Sequence, residues 1–307
     1  AKYSTAVGNK AIANEKYSTA LGYEATAEAE RSTAIGMKAL VKGADSFAIG
    51  NSTEVTGALS IALGQEAKVN GSYSSAVGYM AKANSSGSAA IGAWAETSGG
   101  NSAALGNHAK ASGSESLALG NSAEASGTTS NAMGYNAKAT AQNATAIGSR
   151  ATADGEAATA IGGLANASGY QSNAIGWNAK AKAKNATAIG SDVTADGEDA
   201  IAIGTEAKAN QAFSNALGYK AQANSTGSAA IGTWAKTFGV DSAALGNKAE
   251  AHGLESLALG KRAKTDSMAD QALAVGANAF AKGIASNAIG WRANATAQNA
   301  TAIGSGA

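Results

Sequence analysis

One apolar signature repeats along the whole chain: Ala, then a large aliphatic residue, then Gly. It ends at Gly8, Gly22, Gly36, Gly50, Gly64 and onward to Gly260, then at Gly276, Gly290 and Gly304. These 22 copies keep a 14-residue step throughout, except for a single 16-residue step between Gly260 and Gly276. Three residues after this anchor glycine stands Ala, with Thr53 and Val193 as exceptions, and five after stands Ala, Val or Thr. The positions between are mostly polar, as with Lys82, Glu96, Lys110 and Glu124. A second glycine often follows at seven residues (Gly43, Gly57, Gly71, Gly113, Gly127), and four before the anchor stands Ser or Ala.

Alternation with period two predicts strands rather than helices. Each unit holds two, one such as Ser4–Val7 and one such as Lys10–Ala13, separated by turns that usually contain glycine. Ala favours helices intrinsically, yet a 14-residue unit with a recurrent glycine at its middle leaves no room for two of them. The pattern predicts an all-β solenoid whose strands pair in parallel with their counterparts one coil away.

Neighbouring side chains on a strand face opposite ways. Two assignments stay open: the alanines line the coil and the aliphatics point out, or the reverse. Either way both faces of the first strand are apolar, and one must be an interface. With Ala inside, Val7, Leu21, Ile35, Ile49, Ile91, Ile147, Ile161, Ile175, Ile189, Ile203, Ile231, Ile289 and Ile303 belong to an outer stripe. At about 4.8 Å per coil it would run roughly 100 Å, longer than the apolar patches that monomers leave wet.

Composition sharpens this picture. Of 307 residues 80 are Ala, and only 41 are Val, Ile, Leu or Met. A single compact core of that length needs more large apolar volume, so an ordinary globular enzyme domain is excluded. Zero Pro and the lack of a three-residue glycine period exclude collagen. Balanced charge with regularly placed aliphatics argues against disorder. A formal net charge of +1 with no basic run argues against nucleic acid as partner. No apolar stretch is long enough for a helical span, which takes about 18 residues, so no membrane insertion of this segment is expected. From the residues at its two ends, no secretory leader and no C-terminal anchor are expected within this segment.

The segments Asn143–Gly148, Ser46–Gly50 and Ser102–Gly106 resemble the head repeats of trimeric autotransporter adhesins, the YadA-like family, at the family's own spacing and along the whole chain. The resemblance implies a left-handed parallel β-roll, a homotrimer, and display on the Gram-negative cell surface through the outer membrane. It implies binding of host matrix proteins of the collagen, fibronectin or laminin class. The reading is of a single head solenoid over 1–307, with the neck, stalk and membrane anchor outside it.

Other solenoids fit less well. Hexapeptide repeats do not divide 14, the calcium-binding Gly-Gly-x-Gly-x-Asp repeat is absent, and a Thr ladder breaks after Thr5, Thr19 and Thr33. Chemistry is sparse: the two histidines, His108 and His252, stand at different places in the repeat. Asp154/Glu156 and Asp196/Glu198 read as solvated corners, with weak calcium binding as the sharper alternative. No enzyme, cofactor or metal site is expected. Exposed aromatics are the candidate ligand contacts: Tyr79, Trp94, Trp177, Tyr219, Trp234 and Trp291 fall one or two residues after an anchor glycine. The alternative is that they plug turns or pack at the trimer seam. The stretch from Tyr79 to Ala123 is echoed from Tyr219 to Ala263, which a duplication explains. The function expected is adhesion to matrix proteins, and its rival is a passive spacer. In the 16-residue coil the extra residues should bulge between Ser267 and Asp270, leaving strand pairing intact.

Overall fold

The computed structural model describes residues 2–307. They fall into two compact units, one ending at Ala153 and the other spanning Asp154–Ala307. Both are stacks of coils with one build. A three-residue strand ends just before the anchor glycine, as in Ser75–Val77 and Asn215–Leu217. A two-residue strand follows four residues after it, as in Lys82–Ala83 and Gln222–Ala223. No helix occurs among the described residues.

Like pairs with like, in parallel and one coil apart. Ser75, Ala76 and Val77 sit beside Ala89, Ala90 and Ile91 in the first unit. Asn215, Ala216 and Leu217 sit beside Ala229, Ala230 and Ile231 in the second. The fold is an all-β parallel solenoid of 14-residue coils, as the periodicity predicted. The second strand is shorter than expected: in the first coil it covers Ile12–Ala13, and Lys10 lies in the turn with φ 56°. The turn consumes the extra residues because its second residue turns left-handed and donates its N–H one coil back. Trp94 N–H to the Tyr79 carbonyl, at 2.8 Å, is an example.

The open question of faces is resolved: the alanines point in. Ala76, Ala90, Ala104 and Ala118 are fully buried, and the aliphatic next to each points out. From the opposite strand come Ala81 and Ala83, Ala95 and Thr97, Ala109 and Ala111, all fully buried. The largest side chains inside are only Val41, Val55, Val69, Val193 and a few threonines. A core this thin holds no long side chain without forcing the sheets apart.

Serine closes the second turn. Ser102 donates from Oγ to the Gly99 carbonyl at 2.6 Å, and Ser242 to the Gly239 carbonyl at 2.6 Å. This local bond satisfies a buried hydroxyl that the alanine-lined core could not. The anchor glycine is required twice over. Gly106 has φ +138°, and a Cβ there would lie 2.5 Å from the Gly120 carbonyl oxygen one coil on.

The irregular coil keeps its pairing: Leu257 sits beside Leu273 and Lys264 beside Phe280. The two extra residues are Ser267 and Met268, a narrower bulge than the predicted span to Asp270. Ala269 is fully buried, and its carbonyl packs over Gly253 where a regular coil would put its mid-unit residue. The bulge is a tight turn: Ala269 N–H donates to the Asp266 carbonyl at 3.0 Å, and Ser267 donates twice to Asp266 Oδ1, at 2.6 and 3.1 Å. Desolvation pushes the Asp266 carboxyl up, but hydrogen bonds from Ser267 and the Met268 N–H, with the Lys282 charge, outweigh it and hold the group below the usual range. Met268 is left 77% exposed at the tip.

Candidate functional site

Each coil presents two outer faces of different chemistry. The three-residue strand shows the aliphatic column. Ile147, Ile161, Ile175 and Ile189 are each 37% exposed, with Val7, Leu21, Ile49, Ile91, Ile203, Ile231 and Ile303 more so, and Ile35 and Ile289 half-buried. Two residues earlier on the same strand and face stand Phe47, Ile61 and Ile201, also exposed. In each unit the column therefore forms one apolar surface that the chain itself does not cover.

The two-residue strand and the turn before it show charges and aromatics instead. Lys82 pairs beside Glu96, Glu96 beside Lys110, and Glu124 beside Lys138. Glu124 and Lys138 approach to 3.8 Å, and in the second unit Glu250 and Lys264 to 3.1 Å. Burial pushes the Glu250 carboxyl up, but hydrogen bonds from Lys264 and His252 outweigh it and leave the group below its ordinary value. Exposed pairs of this kind contribute about 0–1 kcal/mol each, so the column sets register more than stability.

The aromatic candidates lie on this polar flank. Trp94 meets Tyr79 edge-on at 5.1 Å and stacks flat on His108 at 4.7 Å. Met80, Lys82, Glu96 and Lys110 complete a shallow groove around them. In the second unit Tyr219 and Trp234 repeat the edge-on contact at 5.7 Å. There the Lys220 ammonium lies over the Trp234 ring at 4.6 Å, a partner that reading for aromatics alone missed. The hydrogen bond with Tyr219 leads in raising the Lys220 pKa, opposed by desolvation and supported by Glu206. Trp177 stands 54% exposed, and Trp291 carries Arg292 over its ring at 4.2 Å. Phe238 stacks on His252 at 4.4 Å, and Tyr3 on Tyr17 at 5.4 Å. The signal that finds most of these contacts is the period itself: Tyr3 and Tyr17, Trp94 and His108, Lys220 and Trp234, Phe238 and His252 each stand one period apart.

The acidic corner at Asp196 and Glu198 serves ion pairs. Asp196 accepts from Lys182 at 3.0 Å and Glu198 from Lys184 at 3.0 Å. Among the described residues no three His, Asp or Glu side chains gather as a metal-ligand set. No helix among them is long and apolar enough to cross a membrane.

The YadA head domain repeat model matches in seventeen segments, most of them overlapping, from 1–25, 13–39 and 27–53 through 139–165 and 153–178 to 251–279 and 281–307. No curated protein matches the chain. Among solved structures, the crystal structure of the collagen-binding domain of the Yersinia adhesin YadA is similar, with 25% identity over 50% of this chain and a TM-score of 0.20. The matched region is 63% of that domain's length. The matched segments cover nearly the whole chain, and the chain belongs to the YadA head-repeat family.

Proposed function

We propose that this chain is the head of a trimeric surface adhesin that attaches a Gram-negative bacterium to host matrix proteins of the collagen, fibronectin or laminin class. The observation that carries the trimer is the uncovered aliphatic column beside a charged flank. Three copies that turn their columns inward bury the apolar face and leave the polar flank to solvent and ligand. Family membership supports the adhesive role. Repetition supports its mode: many weak, similar contacts on successive coils give avidity without a deep pocket. The role is non-catalytic in this reading, with His108 stacked on Trp94 and His252 on Phe238. Solid-phase binding of the recombinant head to immobilised collagen, fibronectin and laminin tests it. Saturable binding to at least one is expected; saturable binding to none would make the chain a passive spacer.

A further inference from the structure

The duplicated segment has diverged on one flank, and in one direction. Tyr79–Glu124 and Tyr219–Lys264 are identical at 31 of 46 positions, the inward alanines, serines and anchor glycines among them. The positions one, two and four residues after each anchor, which form the outer polar flank, differ most in charge. In the first copy they carry Lys82 and Lys110 against Glu96 and Glu124, a net charge of zero with His108 neutral. In the second they carry Lys220, Lys236, Lys248, Lys261, Arg262 and Lys264 against Glu250 alone, a net charge of +5. In the sequence only Lys261, Arg262 and Lys264 lie close together, and the other three are spread from 220 to 248. Coil stacking gathers them at steps of about 4.8 Å.

The acids nearby neutralise only two of the six cations, Lys264 and Lys220. Glu250 is engaged by Lys264 at 3.1 Å and by His252 at 3.3 Å, and Glu206 pairs with Lys220 at 3.4 Å. The Asp266 carboxylate is turned into its own bulge by the two donors of Ser267. Lys236, Lys248, Lys261 and Arg262 make no ion pair or side-chain hydrogen bond among the described residues. Two shallow grooves run between them, one of about 220 Å³ lined by Trp234, Lys236, Lys248 and Glu250, the next of about 240 Å³ lined by Lys248, Glu250, Arg262 and Lys264.

We propose that this flank of the second unit binds a linear sulfated polysaccharide, its acid groups seated on the cations of successive coils. A straight array of cations at a fixed step suits a polymer with repeated charges better than a single small anion. Five of the six cations are lysines, compact charges suited to scattered sulfates; a nucleic-acid site favours the bidentate arginine fork and open aromatic platforms. Here Trp234 is no open platform, since Lys220 covers it and Tyr219 meets its edge. The flank also lies away from the aliphatic column, so an assembly through that column leaves it accessible. The choice of a host saccharide rests on the adhesin reading above.

Heparin immobilised on a biosensor is the probe, with the full chain as analyte. Saturable binding that weakens steeply with salt is expected, and desulfated heparin should bind at least tenfold more weakly. The variant Lys236→Glu/Lys248→His/Lys261→Asn/Arg262→Ser restores the first copy's residues at the four unpaired positions. It should lose tenfold or more in affinity while keeping its thermal melt. The converse variant, Glu96→Lys/His108→Lys/Asn121→Lys/Ser122→Arg, should add a second heparin site per chain. Absence of native binding, equal binding by the restored variant, or equal binding of desulfated heparin would each overturn the proposal. So would single-stranded DNA binding tighter than heparin, which would make nucleic acid the ligand. The matrix panel is read separately, so failure here leaves the adhesin reading standing, and the reverse also holds.

Discussion

Thr237 donates from Oγ1 to Ser228 Oγ at 2.8 Å, joining the two strands of a coil inside a core made almost wholly of alanine. Ser228 passes its own proton to the Ser225 carbonyl at 2.7 Å, so the chain of donors is complete. Val41, Val55 and Val69 fill the same place in other coils, which shows that the volume fits without the hydroxyl. Thr237→Val should therefore cost no more than about 1 kcal/mol, the worth of one hydrogen bond. Thr237→Leu should cost about 1–3 kcal/mol through overpacking. Denaturant unfolding of the two variants separates the terms, and a larger loss for Val than for Leu would show that the bond, not the space, governs this site.

Gly106→Ala meets both a left-handed φ and a backbone oxygen 2.5 Å away, and should cost at least about 2 kcal/mol. Gly127→Ala has no left-handed φ to meet; its Cβ would lie 1.9 Å from the Ala141 carbonyl oxygen, at a place that Ala141 and Ala183 themselves occupy in other coils, so the backbone there can shift to admit it. The first should lower the melting temperature well below the second. Equal losses would mean that conformation is not what fixes the anchor.

Deletion of Ser267 and Met268 should give a regular 14-residue coil with stability within about 1 kcal/mol of the native chain, since exposed turns tolerate shortening. Ladder pairing on both sides of the bulge is already regular. Deletion of Met268 and Ala269 instead removes the residue whose carbonyl packs on Gly253, and should be the more damaging change. Thermal melts of the two deletions decide the order.

Arg31 grips Asp45 one coil on with two parallel hydrogen bonds, Nη2 to Oδ2 at 2.8 Å and Nε to Oδ1. The Arg31 hydrogen bond holds the Asp45 carboxyl below the usual range, against a desolvation that opposes it. A depressed folded value places the stabilisation above the unfolded pKa of about 3.9 and removes it as pH falls through the lower, folded value. Arg31→Gln should return the Asp45 titration to the ordinary range. Carboxyl chemical shifts against pH check this, and an unmoved Asp45 midpoint would contradict the assignment.

Ile147→Asp leaves the chain folded, because the side chain already points to solvent on the single chain, and should weaken assembly by placing an unpaired charge on the seam. Sedimentation should show a loss of trimer with an unchanged far-ultraviolet spectrum. A variant that sediments like the native protein would place the seam elsewhere.

The coil was legible in the sequence because its causes are local and repeated. Gly106 is a glycine for conformational reasons, Ala104 is small because the roll is thin, and both recur at the same step, so a period of 14 with an alternation of two specifies the ladder. The same step put Lys220 with Trp234 and Phe238 with His252 within reach, though only for a reader who compares residues one coil apart. Other features were settled by the fold alone. Whether Ala90 or Ile91 faced inward hung on how the turn is built, since both sides of the strand are apolar. The second strand shrank to two residues because a left-handed turn residue used up the rest, and the bulge fell on Ser267 and Met268 because the Ala269 carbonyl is held over Gly253. The basic flank of the second unit emerged last, because stacking turns residues one period apart in the chain into neighbours about 4.8 Å apart, and charge adds through space rather than along the sequence.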